Sequence, residues 1–402
     1  MSVLRPTRSS PQCRKNYVLL VLTAILSVAP LNFAQHRSQD TTTELRSAAE
    51  AIAAGDFDKA ETEVQSVLRK DANEYRAVNL LGVIRAQQHK DSEAEELFKN
   101  VIEHRPEMTS ARMNLGMLYQ RMFRDDDALA QFQEALKIEP GRPDAVSAIT
   151  NLYRSQARAA AVAEPERALA LLIKARQLSP EDPDIAFELG TVALRMSLFK
   201  DSVQSFQRAL ELRKNYPAAL YGLGRAQIGL TAYQDARDTY SHYVELRPDD
   251  PSGHYAYGLA LAPLQLVREA REQFETSIRL QPVQTESYFQ LGLLQLESKE
   301  LAAAESNFER VLARDPHHAG ALTGKGRVAF ERKDYAAAAE ALQHAVVAAP
   351  NERQPHYYLG LTYARLGRKE ESALELQSAS RIEHDEAEKQ RLGLKIMNPD
   401  QR

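Results

Sequence analysis

The sequence predicts an all-α solenoid of about ten helical hairpins, and three observations carry that prediction. First, Pro106, Pro140, Pro180, Pro248, Pro282, Pro316 and Pro350 keep a 34-residue spacing. Its exceptions are accountable: 40 residues from Pro140 to Pro180, 68 from Pro180 to Pro248 with Lys214 at the skipped place, and His384 at the last place. Second, Gly82, Gly116, Gly190, Gly224, Gly258, Gly292, Gly326 and Gly360 stand 24 residues before that proline place. Third, twelve residues after the glycine place comes a small residue (Ala94, Ala128, Ser202, Ala236), and four further on a large apolar one (Phe98, Phe132, Phe206, Tyr240). A fixed period of this length marks stacked supersecondary units.

The spacings have a mechanical reading. Apolar residues recur at helical intervals in two runs per unit. The small residues let two antiparallel helices approach, and the large apolar residue fills the gap between units. The proline ends the second helix, because its ring cannot continue the hydrogen-bond ladder. Pro143, Pro183, Pro217 and Pro251 each open a following helix, where a missing N–H does no harm. Ten units result, starting at 41, 75, 109, 143, 183, 217, 251, 285, 319 and 353 and covering 41–386. The unit at 143 carries a six-residue insertion around Ala157–Pro165, and Pro263 should stop the first helix of the unit at 251 early. Residues 35–40 read as a linker. Residues 387–402 read as a capping helix and tail, closed by Asn398 and Pro399.

Ahead of the repeats, residues 1–34 have the form of a signal sequence. Arg5, Arg8, Arg14 and Lys15 precede an apolar run from Tyr17 to Ala29, then Pro30 and the small-residue ending at Ala34. Cleavage after Ala34 gives an exported, periplasmic or extracellular chain. If retained, the segment is a signal anchor that leaves the body facing the periplasm. Both readings export residues 41–402. Without those four basic residues, the 51 of the whole chain fall to 47 against 55 acidic ones. An acidic body argues against nucleic acid as the partner, since phosphate binding needs a basic surface. Cys13 is the only cysteine, so the repeats hold no thiol for a disulfide, a zinc site or a nucleophile.

The pattern resembles the tetratricopeptide repeat. Its clearest unit is 109–142, with Leu115-Gly116, Tyr119, Ala128, Phe132, Ala135-Leu136 and Pro140. The resemblance implies a right-handed superhelix whose first helices line a concave groove, with the fifth residue of each unit pointing into it. That series holds four consecutive aromatics, Phe187, Tyr221, Tyr255 and Phe289, with Tyr357 further on. Arg225 and Arg327 at the ninth place, and Arg195 and Arg365 at the thirteenth, flank the stripe. Aromatic anchors beside arginines suit an extended peptide with acidic groups. Packing between neighbouring repeats is the competing reading of the same rings. No unit pairs Lys at place five with Asn at place nine, as the carboxylate clamp of chaperone-binding relatives requires, and no asparagine ladder runs along place six.

Catalysis finds no support in the residues, and no cofactor or metal is expected. Gly324-Lys325-Gly326 follows no strand, and its second glycine is the repeat glycine. The histidines do not pair at metal-ligand spacing; His254 and His356 occupy the core-facing fourth place. The sequence therefore reads as a non-enzymatic adaptor of the bacterial envelope that binds protein or peptide partners. A glycan- or polymer-binding module is the alternative and an enzyme the third possibility.

Overall fold

The computed structural model describes residues 35–397; residues 1–34, where the sequence suggests a signal segment, and residues 398–402 lie outside the described residues. Among the described residues there are helices and no strand. They pair as ten hairpins: α1 (Gln35–Ala54) with α2 (Phe57–Lys70), α3 (Tyr75–Gln87) with α4 (Asp91–His104), and α5 (Thr109–Arg121) with α6 (Asp125–Ile138). Then come α7 (Pro143–Ala160) with α8 (Pro165–Leu178), α9 (Pro183–Arg195) with α10 (Phe199–Leu212), and α11 (Pro217–Gly229) with α12 (Tyr233–Leu246). The last four are α13 (Pro251–Leu261) with α14 (Val267–Leu280), α15 (Glu286–Glu297) with α16 (Leu301–Leu312), α17 (Ala319–Glu331) with α18 (Tyr335–Ala348), and α19 (Arg353–Arg365) with α20 (Lys369–Met397). The chain divides into two compact units between Ile185 and Ala186. Hairpins one to four form the first, and hairpins five to ten, less the first turn of α9, form the second.

Eight of the ten hairpins close on a side chain seated against a missing one. Phe98, Phe132, Tyr240, Phe274 and Phe308 are fully buried. A Cβ added at Gly116 would lie 2.4 Å from the Phe132 ring, and one at Gly258 would lie 2.5 Å from Phe274. The large residue thus locks its own hairpin first. Phe206 does both jobs, since a Cβ at Gly190 or at Gly222 of the next hairpin would strike it. The same geometry accounts for Gly324 and Gly326, whose Cβ atoms would meet Phe308 and Leu342. Where serine replaces alanine at the small place, its hydroxyl donates back across the hairpin: Ser202 Oγ to Gly190 O at 2.9 Å and Ser372 Oγ to Gly360 O at 2.8 Å.

The turn inside nearly every hairpin is the same helix terminator. His89, Phe123, Ser197, Thr231, Gln265, Lys299 and Lys333 take φ near +60°, and Gly55 and Gly367 hold the corresponding place in the first and last hairpins. In the third hairpin, Phe123 N–H donates to Gln120 O and Arg124 N–H to Tyr119 O, which satisfies the last helical carbonyls. The inserted hairpin four has no such residue among the positive-φ set. Pro263 acts as its position requires: α13 stops at Leu261 and a single 3₁₀ turn, Ala262–Leu264, follows.

Two boundaries differ from the sequence reading. Residues 35–40 are helical and begin α1 rather than forming a linker, because no glycine or proline interrupts them. The C-terminal capping helix is the continuation of α20, which runs 29 residues without a break. His384 stands where other hairpins have the helix-ending proline, so nothing stops the ladder there.

Candidate binding surface on the first helices

All nine residues singled out as groove candidates fall in the second unit. Within it, α11 lies beside α13, α15 beside α17, and α17 beside α19, so first helices adjoin first helices at these three steps. The fifth-place rings sit on this row and are half-buried. Each ring is shared between the open face and a hairpin joint. Phe187 packs at 5.8 Å from Phe206 and 5.1 Å from Tyr216. Tyr221 meets Tyr240 at 5.9 Å and Tyr243 at 5.4 Å. Tyr255 meets Phe274 at 6.1 Å, and Phe289 meets Phe308 at 6.3 Å and His318 at 5.0 Å. Tilted and edge-on pairs at these distances add to area burial. Tyr357 stands apart: it is 37% exposed, edge-on to Tyr358 at 5.4 Å and under Arg353.

The phenols of Tyr221 and Tyr255 are held neutral. Burial pushes Tyr221 up, Arg225 pulls part of the way back, and Asp250 adds to the rise. Burial likewise raises Tyr255, with Glu286 and Tyr221 adding, while a side-chain hydrogen bond with Gln290 opposes. Both hydroxyls therefore remain able to donate. The pair forms one cluster with Gln290, which sits at place six of the next hairpin. Tyr243, whose hydroxyl donates to Asp250, is also pushed up by burial first and then by that carboxylate.

The flanking arginines divide. Arg195, Arg225 and Arg365 are exposed and form no ion pair among the described residues. Arg327 is half-buried and lies 4.8 Å over the Tyr358 ring, so part of its cationic face is already engaged. Sequence reasoning missed two contributors. Leu259 and Leu293, at place nine beside the rings of Tyr255 and Phe289, are partly buried and make the middle of the row apolar. The signal was legible, since place nine reads leucine there where hairpins six and nine have arginine. Tyr216, in the joint before α11, supports Phe187 and carries Arg213 4.5 Å over its ring.

The two fourth-place histidines are structural ties. His254 links Gln273 at 2.7 Å to the Pro248 carbonyl at 2.8 Å, and His356 links Glu375 at 2.6 Å to the Pro350 carbonyl at 3.0 Å. Among the described residues, no three His, Cys, Asp or Glu side chains converge as a metal would need. No described helix is long and apolar enough to cross a membrane.

A family model for the tetratricopeptide repeat matches residues 45–99, 92–143, 143–217, 187–251 and 289–353, more than half of the chain. The protein belongs to the tetratricopeptide-repeat family, and it is a protein–protein interaction scaffold of a kind that is typically non-enzymatic. Among solved structures, it is similar to MamA from Desulfovibrio magneticus RS-1 at 22% identity, covering 42% of this chain and 97% of that one with a TM-score of 0.41. It is similar to YrrB, a TPR protein with an unusual peptide-binding site, at 23% identity, 46% and 95% coverage and a TM-score of 0.40. A chain of the APC/C hetero-tetramer Cut9-Hcn1 matches at 13% identity, 85% and 94% coverage and a TM-score of 0.47. No curated protein matches this chain.

Proposed function

We propose that this scaffold is an exported adaptor of a bacterial envelope and that it holds an extended segment of a partner protein along the first helices of hairpins five to eight. The observation that carries the reading is the row of half-exposed rings at one repeat place, Phe187, Tyr221, Tyr255 and Phe289. In the first unit, by contrast, Asn79 and Met113 at that place are buried. Rings fixed by packing behind them lose little entropy on gripping a ligand. Unpaired Arg195 and Arg225 give the row a cationic end at hairpins five and six, the neutral phenols Tyr221 and Tyr255 stand in its middle, and Leu259, Phe289 and Leu293 make the other end apolar. A segment with apolar side chains and an acidic group near its end fits that order. Export rests on the basic-then-apolar pattern of residues 1–34.

The test is cross-linking of tagged protein in its native cells, with identification of what co-purifies. A second strain carries Tyr221→Ala, Tyr255→Ala and Phe289→Ala, with helical content checked by circular dichroism. Loss of specific partners from the variant supports the row as the binding site. Retention of the same partners assigns the rings to packing alone, and capture of polysaccharide in place of protein moves the reading to a polymer-binding module. Sequencing the N-terminus of the fractionated protein tests export: a start at Gln35 in an envelope fraction supports cleavage, and full-length protein confined to the cytoplasm contradicts it.

A further inference from the structure

Two departures from the repeat rule in the first unit meet at one recess. The left-handed turn place holds Gly, His, Ser, Thr, Gln or Lys in every other hairpin that uses it, but Phe123 in the third. A bulky side chain at positive φ is strained, and this one, at φ 59°, leaves its ring 91% exposed. The second departure is the insertion. It lengthens α7 to 18 residues where α5 and α9 have 13, and it leaves Val162 73% exposed on the turn that follows. Between the two turns lies a recess of about 590 Å³, with Phe123 on one wall and Gln156, Ala159 and Ala160 on the other.

The charge at this recess is unbalanced. Asp125, Asp126, Asp127 and Glu164 line it with only Arg124 and Arg167, a net of −2. Both cations are engaged: Arg124 bonds Asp127 at 2.7 Å and Glu95 at 3.1 Å, and Arg167 bonds Glu164 at 3.2 Å. Asp125 and Asp126 form no ion pair among the described residues. Favourable placement of acids at the start of α6 accounts for their type; it does not account for an exposed strained ring or for the recess beside it.

We propose that this recess docks a peptide segment in which a bulky apolar side chain is flanked by Lys or Arg. The apolar side chain packs on Phe123, Ala159 and Ala160, and the cation pairs with Asp125 and Asp126. The acidic lining repels nucleic acid and anionic membrane surfaces. The site is separate from the first-helix row of the second unit, so either can fail without the other.

The test uses the full chain and a phage-displayed library of random short peptides, with counter-selection against Phe123→Gly. That variant keeps its turn, since Gly55 and Gly367 hold the same place elsewhere. Selected peptides should combine Leu, Phe or Trp with Lys or Arg, and their affinity should fall about tenfold or more on Phe123→Gly. Their binding should weaken with salt, and less steeply in a variant with Asp125→Asn and Asp126→Asn. Peptides that bind the Phe123→Gly chain equally, or that lack basic residues, overturn the proposal. Phosphatidylcholine vesicles form the second arm: Phe123-dependent vesicle binding without peptide selection would make the two turns a membrane contact instead.

Discussion

The two units build the same hairpin and differ in what is added where successive hairpins meet. In the first, the joints are polar. Arg85 reaches back to Glu61 at 2.7 Å, Arg124 to Glu95 at 3.1 Å, Tyr119 to Glu95 at 3.0 Å, and Arg121 to Asp91, each pair linking one hairpin to the one before. Asn114 donates to Asn79 at 3.1 Å inside the same stack. In the second, ring contacts are added between hairpins, Phe187 with Tyr216 and Phe289 with His318, beside ion pairs such as Arg271–Glu300 and Arg332–Glu305. The difference teaches that the repeat fixes the hairpin and leaves the joint free. An aromatic joint also presents ring area on the open face, which a buried Asn or Met does not.

The largest expected effect tests what the units share. Phe132→Ala and Phe274→Ala remove fully buried rings that fill the same place, and each should cost about 3–5 kcal/mol. Urea unfolding with hydrogen exchange read over each unit checks this; a cost confined to one unit would break the claim of a common hairpin. Next comes the fifth place, where the units should part. Met113→Ala should cost about 2–5 kcal/mol of stability and leave partner capture unchanged. Tyr255→Ala should cost less stability and weaken capture by about tenfold or more. Equal capture by both variants would erase the functional side of the comparison.

Acid sharpens the contrast in joints. The Arg85 guanidinium holds Glu61 below its ordinary 4.5, and Arg76 does the same for Glu74. A carboxylate depressed in the folded state contributes stability above its unfolded value and loses it as pH falls through the folded one. The first unit should therefore lose about 1 kcal/mol or less per pair below pH 4.5. The second, whose depressed carboxylates Glu300 and Glu371 are exposed, should lose less per pair. Hydrogen exchange across that range reads the loss in each unit, and a larger loss in the second would contradict it. The smallest effect is at the turns. Lys333→Gly should stabilise by about 1 kcal/mol, because only glycine takes positive φ without strain; a melting temperature that falls would show that the lysine makes a compensating contact.

Much of this was legible in the chain. Helix-ending Pro106 and Pro140, helix-opening Pro143 and Pro217, and the Gly116–Phe132 register encode the hairpin directly, because each acts through backbone geometry or contact within one unit. The early stop of α13 followed from Pro263 alone. The setting of the fifth-place rings was harder to read. Whether Tyr221 packs or protrudes depends on Tyr240 and Tyr243, contacts across 19 and 22 residues that one periodic series does not display. The extended α1 and α20 were missed for one reason: no residue there forbids helix, and absence of a stop is a weaker signal than its presence. The Phe123 turn was passed over because the repeat pattern places no requirement on that position beyond its φ.

The central claim is that the first-helix row of the second unit grips a partner. A photo-cross-linking phenylalanine analogue placed at 255, at 289 and at the outward Val347, itself 82% exposed, tests it inside native cells. The account predicts adducts to one protein partner from 255 and 289 and none from 347. Adducts from 347 with none from 255 or 289 would contradict it and leave the aromatic row as packing.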